Sequence, residues 1–167
     1  MQSPADTVIE DDRWQAAGLP AVADRAARAV LARFDLPADG FALCIMGCDD
    51  ARIAELNGTF RGKGAATNVL SWPSEDRAPV TPGAPPDLPE PGDPDDPAEL
   101  GDIAIAWDTC AREAAEQGKT FDDHVTHLLV HSVLHLLGYD HIDPADADLM
   151  ERTEVEILAS LGVKDPY

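Results

Sequence analysis

No apolar run in this chain approaches the ~18 residues that a membrane-spanning helix needs, so a membrane protein is not expected. The opening residues, MQSPADTVIEDDRW, lack the basic cluster and apolar core of a secretory signal. Cysteine is scarce. Cys44, Cys48 and Cys110 are odd in number and have no C-x-x-C spacing, which excludes a disulfide scaffold and a thiolate zinc site. They are expected to be small buried hydrophobes of a reduced, cytoplasmic protein. Basic residues are few as well: 12 Lys and Arg stand against 32 Asp and Glu, a net charge of −20. Such a balance ordinarily argues against a nucleic-acid partner.

The distribution of charge weakens that argument. Eight of the acids and eight of the fourteen prolines lie in Glu75–Glu99, a composition that can neither form a helix nor bury a core. The segment at about 75–99 is expected to be an acidic, proline-rich loop insertion, mobile and outside the core. In contrast, Leu56–Ser74 contains no acid and carries Arg61 and Lys63. The chemistry-bearing region is therefore free to be locally positive.

That chemistry is announced by His131-Ser-Val-Leu-His135-Leu-Leu-Gly138-Tyr-Asp-His141. Residues four apart lie one turn apart on one helix face, so His131 and His135 can grip a single ion. Gly138 can adopt the left-handed conformation that ends a helix and lets the chain return His141 as a third ligand. Three neutral nitrogens leave a tetrahedral ion one open position, which is the catalytic and not the structural arrangement. The spacing is that of H-E-x-x-H-x-x-G-x-x-H peptidases with their glutamate missing. Ser132 stands in its place and cannot act as a base near pH 7.

At roughly 100° per residue, His124, His127, His131 and His135 share a sector about 80° wide. Leucines and valines cover the other directions, so this is expected to be a buried helix whose histidine stripe faces a polar cavity. His124 is assigned a surface or structural role. His127, one turn before His131, is a candidate for supporting the ligands or facing substrate.

The remaining pattern predicts strands at Thr7–Glu10, Phe41–Met46, Asn68–Trp72 and Gly101–Trp107. Helices are expected at about Pro20–Phe34, from an Asp49 or Asp50 cap onward, from an Asp108 cap to Gln117, at Phe121–Leu137, and from Pro144 to about Leu161 behind an Asp143 cap. Strands and helices mix without regular alternation. The class read from them is α+β, a small mixed sheet packed with helices, folded as one domain over residues 1–167 with the metal helix central.

Three motifs in order, LNGTFRGKGAATNVLSWP (56–73), LGDIAI (100–105) and HLLVHSVLHLLGYDH (127–141), make the chain resemble the YbeY family of bacterial metal-dependent endoribonucleases. Two departures stand out: Ser132 where members usually have glycine, and Asn68 where many have aspartate. The resemblance implies a zincin-like form of the α+β fold, one zinc ion per chain on His131, His135 and His141, and a functionally important Arg61. It also implies a ribosomal RNA precursor as substrate, roles in rRNA maturation and ribosome quality control, and ribosomal proteins or ribosome-associated factors as partners. Lys63 and His127 are further substrate-binding candidates. Two rival readings are a single-zinc peptidase or amidase and a non-catalytic ribosome-associated factor.

Overall fold

The computed structural model describes residues 3–61, 65–79 and 81–167, with the side chains of Thr59, Phe60 and Arg61 left out. Four strands, β1 (Ala5–Ile9), β2 (Phe41–Cys48), β3 (Val69–Pro73) and β4 (Ala98–Ala106), form one sheet in the order β1-β2-β4-β3. β1 and β4 run parallel to β2, whereas β3 runs antiparallel to β4 and is an edge strand. Helices α1 (Arg13–Ala16), α2 (Leu19–Arg33), α3 (Asp50–Arg61), α4 (Trp107–Gln117), α5 (Phe121–Leu136) and α6 (Pro144–Ser160) complete an α+β protein with a small mixed sheet. No helix among the described residues is long and apolar enough to cross a membrane.

Side chains alternate across a strand, and here the alternation divides the core. Phe41, Leu43 and Ile45 of β2, with Ile103 and Ile105 of β4, join α2, α5 and α6 in the main cluster. The opposite face carries a smaller cluster, Cys48, Ile53, Leu70, Ala104 and Ala106, where α3 covers the sheet. Helix α5 is buried along most of its length, because Leu128, Leu129, Val130, Val133, Leu134 and Leu136 leave no apolar direction for water. Cys48 and Cys110 are buried, and burial pushes the Cys48 thiol up to about 12, so both behave as packing groups.

Several boundaries differ from the sequence reading. Strand β4 begins at Ala98, not Gly101, so Ala98 and Glu99 leave the acidic segment and pair with Phe41 and Ala42. A register shift there accommodates Leu100 as a bulge residue. Trp107 opens α4 and does not end β4, and the short helix α1 was not foreseen. Asp108 was expected to cap α4. Instead its Oδ2 accepts the Asp50 N–H at 3.1 Å, while Asp50 Oδ1 accepts the Thr109 N–H at 3.0 Å. Each acid thus serves the other helix's exposed amides, with Asp49 capping Arg52 of α3 at 2.8 Å.

The acidic segment is less detached than its composition suggests. The Arg77 guanidinium donates to the carbonyls of Leu136 (2.9 Å) and Leu100 (3.3 Å) and to Ser74 Oγ (3.0 Å). A cation on the last carbonyls of α5 answers both their unmet acceptors and the negative end of the helix. The acid and proline content of the segment hides the role of this single arginine from the sequence.

Arg77 also explains why residue 138 is glycine. Helix α5 ends with Gly138 N–H donating to the His135 carbonyl (3.0 Å) and Tyr139 N–H to the Leu134 carbonyl (3.1 Å), with Gly138 at φ +109°. A Cβ on Gly138 would lie 2.4 Å from the Arg77 carbonyl oxygen. Gly138→Ala is therefore expected to destabilise the protein by about 3 kcal/mol or more, through strain at positive φ and a backbone clash. Urea unfolding checks this, and a loss under about 1 kcal/mol would show that the Arg77 segment yields easily.

Candidate metal centre

The last turns of α5, the loop after it, α3 and the edge strand β3 enclose an open cleft of about 340 Å³. His131, Ser132 and His135 contribute from α5, Val69, Leu70 and Ser71 from β3, Asn57 from α3, and Asp140 and His141 from the loop. The helix-stopping turn at Gly138 is what returns His141 to the side of α5 that carries His131. Its ring centroid lies 5.2 Å from that of His131, tilted by 35°. All three expected ligands therefore border one cleft. Among the described residues, however, no three His, Cys, Asp or Glu side chains are gathered in a geometry ready to hold an ion.

The orientation of two rings is set from behind. His131 Nδ1 lies 2.5 Å from Oε1 of Glu154 on α6, and His135 Nδ1 lies 2.6 Å from Ser71 Oγ on β3. A carboxylate only accepts, so His131 Nδ1 is the donor, and in the neutral ring Nε2 then carries the lone pair. The same assignment on His135, with Nδ1 donating to the serine hydroxyl, leaves that ring able to ligate through Nε2. A carboxylate or hydroxyl bonded to the far nitrogen is the usual support of a metal-ligating imidazole. The donor chemistry of this cleft therefore fits a divalent ion of the zinc type.

Glu154 is 0 % exposed. It also accepts a hydrogen bond from the Tyr167 hydroxyl at its second oxygen. His127 does not border the cleft. It lies behind His131, with Nε2 3.8 Å from Glu154 Oε1 and 3.4 Å from the Tyr167 oxygen. Burial, opposed by Glu154, lowers its pKa to about 4, so it is neutral near pH 7. His124 is buried and bonded at 3.0 Å to Glu113, which also receives the Asn68 amide. That is a structural role. Lys63 lies outside the described residues, as does the side chain of Arg61, although Arg61 is the last residue of α3.

Glu154, Ser71 and Tyr167 were not found from the sequence. Glu154 had a signal: Met150, Thr153, Ile157 and Leu158 mark the inward side of α6, and position 154 falls on it. An acid on an inward stripe demands a partner. Ser71 and Tyr167 gave none, since nothing local distinguishes a serine that backs a histidine.

Ser132 lies where a peptidase would place its glutamate. It is buried, and its hydroxyl has no hydrogen-bond partner among the described residues. Removing an unpartnered buried hydroxyl relieves a desolvation cost and improves helix propensity, together roughly 1 kcal/mol. Ser132→Ala should therefore raise the melting temperature by about 2–4 °C, the usual response of a chain this size to that energy. A lower melting temperature would mean that the hydroxyl makes a stabilising bond in solution.

Fold and site together define an α+β protein in which a buried helix and an antiparallel edge strand flank a histidine-lined cleft. Comparison with known proteins makes the assignment specific. The family profile described as Endoribonuclease YbeY matches residues 9–162. The chain is 68% identical over 167 residues to "Endoribonuclease YbeY" of Cereibacter sphaeroides, covering 100% of both chains. It is 58% identical over 166 residues to the protein of that name from Dinoroseobacter shibae, covering 99% of this chain and 91% of the relative. The chain belongs to the YbeY family. The solution structure of TM1509 from Thermotoga maritima matches with a TM-score of 0.56 at 18% identity, over 95% of this chain and 91% of that one, which shows a shared fold.

Proposed function

We propose that this protein is an endoribonuclease that holds one zinc ion on His131, His135 and His141 and cleaves phosphodiester bonds of ribosomal RNA precursors. The observation that carries the reading is the pair of backed imidazoles at the cleft. Glu154 and Ser71 occupy the Nδ1 positions of His131 and His135, which leaves the Nε2 atoms available to a cation. Family membership supports RNA as the substrate, because the relatives it rests on bear the name endoribonuclease.

A divalent ion, if held by His131, His135 and His141, would supply Lewis acidity toward a phosphoryl oxygen. The protein's own groups do the remaining work. Glu154 and Ser71 hold two rings still. Arg61 is assigned to pair with the phosphate and to offset the charge that grows in the transition state. The sequence supports this, since Arg61 lies in the acid-free stretch Leu56–Ser74 and ends α3, the helix whose Asn57 borders the cleft. Lys63 is assigned to a neighbouring phosphate, and His127 to supporting His131 from behind.

In this reading the chain is a single domain of zincin-like form with the acidic segment as an insertion. It works in the cytoplasm in rRNA maturation and ribosome quality control, beside ribosomal proteins or associated factors. The peptidase alternative needs an acidic base at the cleft. Among the described residues Asp140 is the acid that borders it, and its Oδ1 accepts the His141 N–H at 2.7 Å. Glu154 touches the back of His131, away from the cleft.

The deciding experiment assays purified, metal-quantified protein on single-stranded RNA and on casein, with and without a chelator. Chelator-sensitive RNA cleavage without casein hydrolysis is expected. Casein cleavage would favour the peptidase, and no cleavage of either would favour a non-catalytic factor.

A further inference from the structure

Glu154 is a fully buried acid whose two oxygens are both engaged, one by His131 and the other by a residue far along the chain. That residue arrives by a defined route. Helix α6 closes with Gly162 N–H on the Ala159 carbonyl (3.1 Å) and Val163 N–H on the Leu158 carbonyl (2.9 Å), with Gly162 at φ +76°. The chain reverses along α6, and Val163 is buried. Asp165 Oδ1 then accepts the Tyr167 N–H at 2.8 Å. The phenol enters beside His127, ring edge to face with centroids 5.6 Å apart. Its hydroxyl ends on Glu154 Oε2.

We propose that Tyr167 is a positioning residue for the histidine site: by holding Glu154 it fixes the carboxylate that orients His131, and so sets how tightly that imidazole grips a divalent cation. This inference rests on the metal reading above. The physical reason is the cost of leaving an oxygen of a buried carboxylate without a partner: Glu154 is 0% exposed, although the Tyr167 residue that reaches it is 60% exposed. With Tyr167 in place, both carboxylate oxygens are satisfied and Glu154 has one orientation. Without the hydroxyl, Oε2 loses its partner, and the carboxylate gains by turning toward another donor such as His127 Nε2, which lies 3.8 Å from Oε1. Each such turn lengthens the bond to His131 Nδ1. The ring is then free to rotate and to exchange its tautomer, and the ligand nitrogen is no longer held ready. His127 packs against the same phenol, which gives it a place in this support and explains a histidine of the stripe that does not reach the cleft.

The test is zinc affinity of the purified full chain, measured by competition with a chromogenic chelator. Tyr167→Phe keeps the ring and removes only the hydroxyl. It is expected to weaken zinc binding by about 10-fold, within the usual range for lost support of a ligand. Glu154→Gln should weaken it by a similar factor or more. In the Glu154→Gln background, Tyr167→Phe should add almost nothing, since the hydroxyl acts through that carboxylate. Ring ¹⁵N shifts of the metal-free protein give a second readout. The parent should show His131 protonated on Nδ1, and Tyr167→Phe should show a mixture of tautomers.

A Tyr167→Phe protein with the parent's zinc affinity and the parent's His131 tautomer overturns the proposal while leaving the metal site intact. Fully additive losses in the double variant overturn it too, because the hydroxyl would then act by another route. A parent protein that binds no zinc, like a His131→Ala control, would remove the metal reading itself.

Discussion

Replacing His131 and His135 together by alanine is expected to reduce the metal content from about one zinc per chain to none, because a single remaining imidazole cannot hold the ion against solvent. RNA cleavage should fall to the level of the chelator-treated parent. The structure adds a cost that the spacing alone does not predict. Alanine at 131 strips Glu154 Oε1 of its donor in a fully buried site, a loss of about 1–3 kcal/mol. The variant should therefore also melt earlier, whereas the single change His135→Ala removes one contact of the cleft-lining Ser71 hydroxyl and leaves the buried carboxylate its donor, so it should be milder. Elemental analysis and circular dichroism on the same preparation separate the two effects. Full metal content in the double variant would place the ion elsewhere. A folded, metal-free variant that still cleaves RNA at the parent rate would make the ion structural.

What could be read in advance follows from how local each interaction is. The i, i+4 pair, the turn glycine and the Asp143 cap on Ala145 are set by a few consecutive residues, and they stand where the spacing put them. The α+β class followed from periodicity in the same way. The cleft's other wall did not, because it depends on which strand takes the edge and in which direction. Strand β3 reads as any short apolar run, yet only its antiparallel pairing with β4 brings Ser71 to within 2.6 Å of His135, 64 residues away. Arg77 was hidden by its neighbours. In a segment so rich in acid and proline it looks like one more solvated charge, and its role follows from the three-dimensional position of the α5 carbonyls. The buried Glu154 lies between these cases: its helical phase was legible, and its partners were not.

The remaining prediction concerns the group that meets the phosphate. Arg61→Ala should keep zinc and fold but lower RNA cleavage by roughly 10²–10³-fold, as for loss of one transition-state donor. The placement of Asn57 on the cleft gives this a structural footing. Arg61 ends α3, the helix whose Asn57 borders the cleft, and a guanidinium pairs with phosphate oxygens through two parallel N–H donors. Arg61→Lys should restore little, since an ammonium keeps the charge and loses the bidentate fork. Cleavage must be compared at equal zinc loading and one fixed salt concentration, because phosphate contacts weaken as salt rises. An arginine that merely adds positive potential behaves differently: lysine then restores activity, and added salt erases the difference between variants. Should alanine and lysine both cleave at near the parent rate, the clamp belongs to another residue, and Lys63, two positions on in the same acid-free stretch, is the next to replace.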